Sequence, residues 1–286
     1  MKLGICSFAF HRTWAAGKLD FPGLIRLCKD LGCTQLDPWN AHLNEPAKGE
    51  DTVRAGRNPH DARLGTPGDA HVAVLKRQVT EGGLPVGCVA VDGAHIFEAD
   101  PEKAALHRDR RTRWIDISAD LGASHIRIDA GGPEQPDEAT WAAIIAGYQE
   151  TIRWAEAKGL KVVVENHWGP TVIPENVNRL LDAVPGLGLL FDTNNWKKER
   201  QREAWDLCGP RSEVVHVKTF AIGDDLRDPE IDLSPAFTIL GKAGFDGIWC
   251  VESVPRDGDE VAAARRTLDL IRREAGPKTR AAGGRT

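Results

Sequence analysis

Eight short runs rich in β-branched and other apolar residues punctuate the chain: "KLGICSF" (2–8), "CTQLD" (33–37), "PVGCVAV" (85–91), "SHIRID" (124–129), "KVVVE" (161–165), "LGLLFD" (187–192), "EVVHV" (213–217) and "GIWCVE" (247–252). Helix-length segments separate them. Strand followed by helix, repeated throughout, argues for βαβ units built on a parallel sheet. The helical segments carry end signals of their own. Asp20 can cap a helix with Pro22 in its first turn, apolar residues at Phe21, Leu24, Ile25, Cys28 and Leu31, and Gly32 as the stop. Asp100-Pro101 opens another, with Trp114, Ile117 and Leu121 on one side and Gly122 after it. Asp137 opens a third, with Trp141, Ile144, Ile145, Tyr148 and Ile152 at helical spacing and Gly159 at its close.

Eight such units in 286 residues fit a closed (β/α)8 TIM barrel of the α/β class better than an open doubly wound sheet. The first strand-helix turn offers no Gly-x-Gly-x-x-Gly, and no Gly-x-x-x-x-Gly-Lys occurs anywhere. The expected organisation is one barrel domain over residues 1–275, with an elaborated connection over about 38–84 that is rich in Pro, Gly, Asp and His and crosses the barrel mouth. The tail "GPKTRAAGGRT" (276–286) lacks apolar residues apart from its alanines and is expected to be disordered.

A net charge of −5 supplies no overall field that would gather nucleic acid or an anionic membrane. No stretch approaches the roughly 20 apolar residues of a membrane span, and "MKLGICSFAF" is too soon interrupted by His11 and Arg12 for a signal peptide. A cytoplasmic protein is expected. The six cysteines form no Cys-x-x-Cys pair and several lie inside apolar runs, so they read as small buried hydrophobes in a reducing compartment.

The last four runs end in chemistry. They deliver Glu165, Asp192, His216 and Glu252, and a parallel barrel opens all its strand C-termini on one face, so the four groups converge there. Three carboxylates packed together without a cation would be driven to protonate, a conflict that one divalent metal removes. Oxygen ligands with a single imidazole favour Mn²⁺, Mg²⁺ or Co²⁺, with Zn²⁺ less suited. The competing reading pairs each group with Arg or Lys, for which Arg127 and Lys218 are available.

The segments "VVVENHWG" (162–169), "LGLLFDTNNW" (187–196), "VVHVKTF" (214–220), "EIDLSPAFTIL" (230–240) and "GFDGIWCVES" (244–253) together resemble the sugar isomerase and epimerase superfamily of xylose isomerase-like TIM barrels. The resemblance implies that Glu165, Asp192, His216 and Glu252 bind one divalent metal, that the two glutamates also move protons, and that His167 and Lys218 contact substrate. Asn195 stands where ketose 3-epimerases and the endonuclease IV branch carry a histidine, and Val214 replaces the first histidine of a His-x-His pair. Relatives are often dimers or tetramers, so a homo-oligomer is expected on resemblance alone.

A metal that grips adjacent hydroxyl and carbonyl oxygens acidifies the C–H between them by stabilising an enediolate. Glu165 and Glu252, on the fifth and eighth runs, could then serve as bases from two sides of a substrate carbon, giving epimerisation or isomerisation. A hydroxyl β to the carbanion would instead be expelled, making the enzyme a dehydratase or lyase on a keto-sugar, inosose or oxidised glycoside. Asp37, His95, Trp14, Trp168 and Asn195 are further candidates to touch substrate. No Gly-rich loop or tight Arg cluster follows the seventh and eighth runs, which favours a free sugar or cyclitol over a sugar phosphate. An endonuclease IV-like repair enzyme and a non-catalytic sugar-binding subunit are the remaining alternatives.

Overall fold

The computed structural model describes residues 1–44 and 65–276. Most of the expected 38–84 connection and nearly all of the expected 276–286 tail lie outside the described residues. Seven parallel strands form one sheet: β1 (Lys2–Ile5), β2 (Cys88–Val91), β3 (His125–Ile128), β4 (Lys161–Glu165), β5 (Gly188–Asp192), β6 (Ser212–Thr219) and β7 (Ile248–Ser253), in the order β1-β7-β6-β5-β4-β3-β2. Among the described residues, helices of eight residues or more run as α1 (Phe21–Asp30), α2 (Asp69–Gly82), α3 (Pro101–Asp120), α4 (Glu138–Glu156), α5 (Pro174–Ala183), α6 (Gln201–Cys208), α7 (Ser234–Lys242) and α8 (Glu260–Ala275).

The run at 33–37 departs from expectation, because it makes no regular ladder. It joins the two free edges through isolated parallel bridges instead, Cys6 with Asp37 on one side, Leu36 with Val86 and Trp39 with Ala90 on the other. The reason lies in its inward side chains. Gln35 and Asp37 fill the barrel interior, and a Cβ on Gly4 or on Gly87 would run into one of these two side chains. With its inner face polar and only Leu36 to bury outward, the segment closes the barrel as an eighth stave held at a few points.

Two-residue periodicity then sorts the other strands. Outward residues such as Val162, Val164, Phe191, Val215 and Val251 pack under the helices in the larger core, each worth about 1.5–3 kcal/mol when fully buried. Inward residues Cys6, Cys88, Ala90, Val163, Leu190, Val214, Ile248 and Cys250 with Trp39 form a smaller core inside the barrel. The polar groups lie on the same inward parity, toward the C-terminal ends. Helix ends follow their sequence signals: Asp20, Asp100 and Asp137 cap α1, α3 and α4 by accepting backbone amide hydrogen bonds. Gly32, Gly122 and Gly159 just beyond these helices all take positive φ, where a Cβ would be strained. Chain ends are tied by Glu260 of α8, whose carboxylate accepts from the amides of Arg12 and Thr13 at 2.9 Å each. No helix among the described residues is long and apolar enough to cross a membrane.

Candidate active site

Strand register assembles the site. Asp192 of β5 pairs with His216 of β6, and Lys218 two residues on pairs with Glu252 of β7, so all four face inward at neighbouring levels. Glu165 ends β4 on the same parity, beside Leu190. Each of Glu165, Asp192, His216 and Glu252 offers a ligand atom within 4.8 Å of those of the other three. All are buried, with 2%, 0%, 2% and 7% of their surface exposed.

The contacts among them are short. His216 Nδ1 lies 2.6 Å from Glu252 Oε2 and 3.9 Å from Glu165 Oε1. Lys218 Nζ approaches Glu252 Oε1 at 2.7 Å and Asp192 Oδ2 at 3.5 Å, and donates to Asn195 Oδ1 at 2.8 Å. Asn195 in turn donates from Nδ2 to Glu165 Oε1 at 3.0 Å, so it links the two sides of the cluster. Asn166 exchanges two hydrogen bonds with the Asp192 backbone, at 2.7 and 3.0 Å, which fixes the end of β5 against β4.

Arg127 of β3 stands behind Glu165. Its Nε is 3.0 Å from Glu165 Oε2, and its Nη1 reaches Asp92 Oδ1 at 2.7 Å and Asp129 Oδ2 at 2.9 Å. His167 Nδ1 lies 3.5 Å from Asp129 Oδ2 and 3.8 Å from Glu165 Oε2, with the Trp168 ring tilted over it at 4.2 Å. Asp92 and Asp129 were not among the sequence candidates. The signal was present, since each follows an apolar run as Glu165 does, and Asp129 is the last residue of "SHIRID".

Charge placement sets the protonation states. Burial pushes Asp192 up to about 6, restrained by Lys218. Burial alone would also raise Glu252, but Lys218 and the hydrogen bond from His216 hold it well below the usual carboxylate range. Burial disfavours the His216 imidazolium, and Glu252 overrides that to raise it. For His167 burial is likewise outweighed, by Glu165 and Asp129, and its pKa rises to about 9.

Of the other sequence candidates, Asp37 is turned into the barrel interior, where Oδ1 accepts from Gln35 Nε2 and from the Cys88 amide at 2.7 Å each. That position serves the packing of the closing stave and lies outside the four-group cluster. His95 sits edge-on to His107 at 5.1 Å, and its carbonyl accepts from Arg111. Trp14, half-buried, stacks on His42 at 4.2 Å. Neither His95 nor Trp14 is brought into the cluster.

The donor set can be tested for a divalent cation without reference to any relative. Five carboxylates, those of Asp92, Asp129, Glu165, Asp192 and Glu252, meet two permanent cations, Arg127 and Lys218. Even with both imidazoles protonated the carboxylates stay in excess, and Asp192 Oδ2 is a buried oxygen that accepts no hydrogen bond. Lys218 pairs with Glu252 and Asp192, and Arg127 with Glu165, so the two cations offset part of the negative charge and leave the rest. The residues fit a divalent ion held by three carboxylates and one imidazole.

A profile of the xylose isomerase-like TIM barrel family matches residues 25–274. The chain belongs to that family. No curated protein sequence matches it. Among solved structures, this xylose isomerase-like barrel is similar to D-allulose 3-epimerase from Methylomonas sp. (17% identity, 96% of this chain and 98% of that one, TM-score 0.71). It is also similar to the 3-keto-D-glucoside 4-epimerase from E. coli (16% identity, 96% and 99%, TM-score 0.66). A third likeness is to a probable 3-DHS dehydratase from Bacillus anthracis (11% identity, 95% and 98%, TM-score 0.67). At these identities the likenesses establish the shared fold of the xylose isomerase-like barrel, and its chemistry has to be argued from its own residues.

Proposed function

We propose that this chain is a divalent-metal-dependent enzyme that moves a proton on the carbon next to a carbonyl in a sugar or cyclitol, isomerising or epimerising its substrate. The observation that carries the reading is the convergence of Glu165, Asp192, His216 and Glu252 within 4.8 Å, with an Asp192 oxygen among them that accepts no hydrogen bond. The epimerases among its structural relatives support the same class of substrate.

Those four residues would hold the cation, and the oxygen-rich set suits Mn²⁺ ahead of Mg²⁺, Co²⁺ or Zn²⁺. When bound, a divalent ion polarises neighbouring hydroxyl and carbonyl oxygens and so weakens the C–H between them. Glu165 and Glu252 come from β4 and β7, with β5 and β6 between them, and therefore reach the site from two sides. One takes the proton and the other returns it to the opposite face, or the same one returns it to the adjacent carbon. Lys218 keeps Glu252 ionised and so without a proton of its own, while Asn195 fixes the orientation of Glu165. Protonated at neutral pH, His167 can donate a hydrogen bond to a substrate hydroxyl.

The test is solvent deuterium exchange. Protein reconstituted with Mn²⁺ is incubated in D2O with a panel of keto-sugars and inososes, and label is located by NMR. Deuterium at a single carbon beside the carbonyl is expected, with Glu165→Gln and Glu252→Gln each slowing exchange by about 10²–10⁴-fold. Loss of water from a substrate would move the reading to a dehydratase. Absence of exchange and of turnover across the panel, with Mn²⁺ bound, would overturn it.

A further inference from the structure

Cys6 follows β1 directly, and its amide donates to the Val251 carbonyl at 2.9 Å, which carries the β1–β7 ladder one residue further and sets Cys6 beside Glu252. Its side chain points inward, 3% exposed, among Cys88, Ala90, Val163 and Cys250. Cys6, His216 and Glu252 each offer a ligand atom within 4.8 Å of the other two. The thiol therefore borders the same pair of groups that the oxygen-rich set uses. Asp192 Oδ2, buried with no hydrogen bond and with the Lys218 ammonium 3.5 Å away, belongs to the oxygen-rich set alone.

We infer that the centre carries two overlapping donor sets, and that the second, Cys6 with His216 and Glu252, captures thiophilic divalent cations such as Cd²⁺ or Zn²⁺ in competition with Mn²⁺. Sulfur, nitrogen and one oxygen with a fourth position open is a donor set that zinc-like ions accept in tetrahedral geometry. Bonds of about 2.0–2.3 Å to such an ion place donor atoms roughly 3.5 Å apart, so the thiol moves in by about 1.3 Å at most while His216 and Glu252, in contact at 2.6 Å, give up their mutual hydrogen bond. On capture the S–H bond breaks, the electron pair stays on sulfur and forms the bond to the ion, and the thiol proton leaves to buffer together with any proton on the His216 nitrogen that binds. Because His216 and Glu252 belong to both sets, the two classes of ion exclude each other. The inference rests on the proposed reading of the cluster as a cation site.

The experiment uses the full chain freed of metal by chelator, and reads binding without turnover. Mn²⁺ is followed by electron paramagnetic resonance of the free ion, and Cd²⁺ by thiolate-to-metal charge-transfer absorption in the ultraviolet. Expected are one-for-one displacement of Mn²⁺ by Cd²⁺ with growth of the absorption band. In Cys6→Ser the band should vanish and Cd²⁺ affinity should fall at least about tenfold, with Mn²⁺ affinity unchanged to within about twofold. Cys250→Ser should keep the band, and urea midpoints of both variants check that they fold. Persistence of the band in Cys6→Ser, or Cd²⁺ binding without a band, would overturn the inference and leave the metal-centre reading standing. Failure of the wild-type chain to hold either ion would overturn both.

Discussion

Arg127 is the residue on which the buried charge balance turns, since one guanidinium meets Asp92, Asp129 and Glu165 at 2.7–3.0 Å. Burial opposes its charge, and the three carboxylates more than offset that, holding its pKa well above the ordinary value. Arg127→Met would leave those carboxylates uncompensated. Its unfolding free energy should fall by about 3–5 kcal/mol in urea denaturation, and a loss below about 1 kcal/mol would show that the carboxylates are satisfied in other ways. His42 offers a pH test. It packs against Ser7 Oγ at 2.9 Å and against the Trp14 and Trp39 rings, and burial, aided by His11, lowers its pKa to about 3. With a folded value below the unfolded one of about 6.5, the unfolded chain takes up the proton first, so stability present above that pH is lost as pH falls toward the folded value. Between about pH 6.5 and about pH 4.5 the wild-type chain should lose about 2 kcal/mol relative to His42→Gln. Parallel stability curves for the two proteins would rule this out.

At the scale of elements, the local signals were the legible ones. Caps, proline positions and stop glycines act within one turn, and for this reason α1, α3 and α4 begin and end where their residues indicate. Asp100 illustrates the size of such an effect: Oδ1 accepts from the amides of Glu102 and Lys103 at 3.0 and 3.3 Å. Asp100→Ala should cost about 1 kcal/mol, read from the urea midpoint, whereas Asp100→Asn should cost a fraction of that. The run at 33–37 is the element that composition alone misjudged. Its β-branched and apolar content resembled that of a strand, but Gln35 and Asp37 point inward and bond to each other at 2.7 Å, and the ladder on either side is reduced to single bridges. Whether a polar pair inside a barrel interrupts a strand depends on what faces it, here Gly4 and Gly87, and nothing near residue 35 records those neighbours.

For the molecule as a whole, a cation that binds only the folded barrel must stabilise it. At about 100 times its dissociation constant, Mn²⁺ should add about 2.7 kcal/mol and raise Tm by several degrees, and Asp192→Asn should abolish most of that shift in a thermal melt. An unchanged Tm at saturating Mn²⁺ would count against the proposed centre. The alternation of apolar runs with capped helical segments, and the placing of Glu165, Asp192, His216 and Glu252 at the ends of four such runs, were properties of the sequence by itself, because strand period and helix caps are local and a parallel barrel gathers its strand ends at one mouth. Tertiary structure alone decided that Arg127 serves Asp92 and Asp129 as well as Glu165, that Asp37 is taken up by Gln35 and the Cys88 amide, and that Cys6 comes to lie beside Glu252. Those contacts depend on the register with which each strand meets its neighbour as the barrel closes, and register between distant segments leaves no mark in either one.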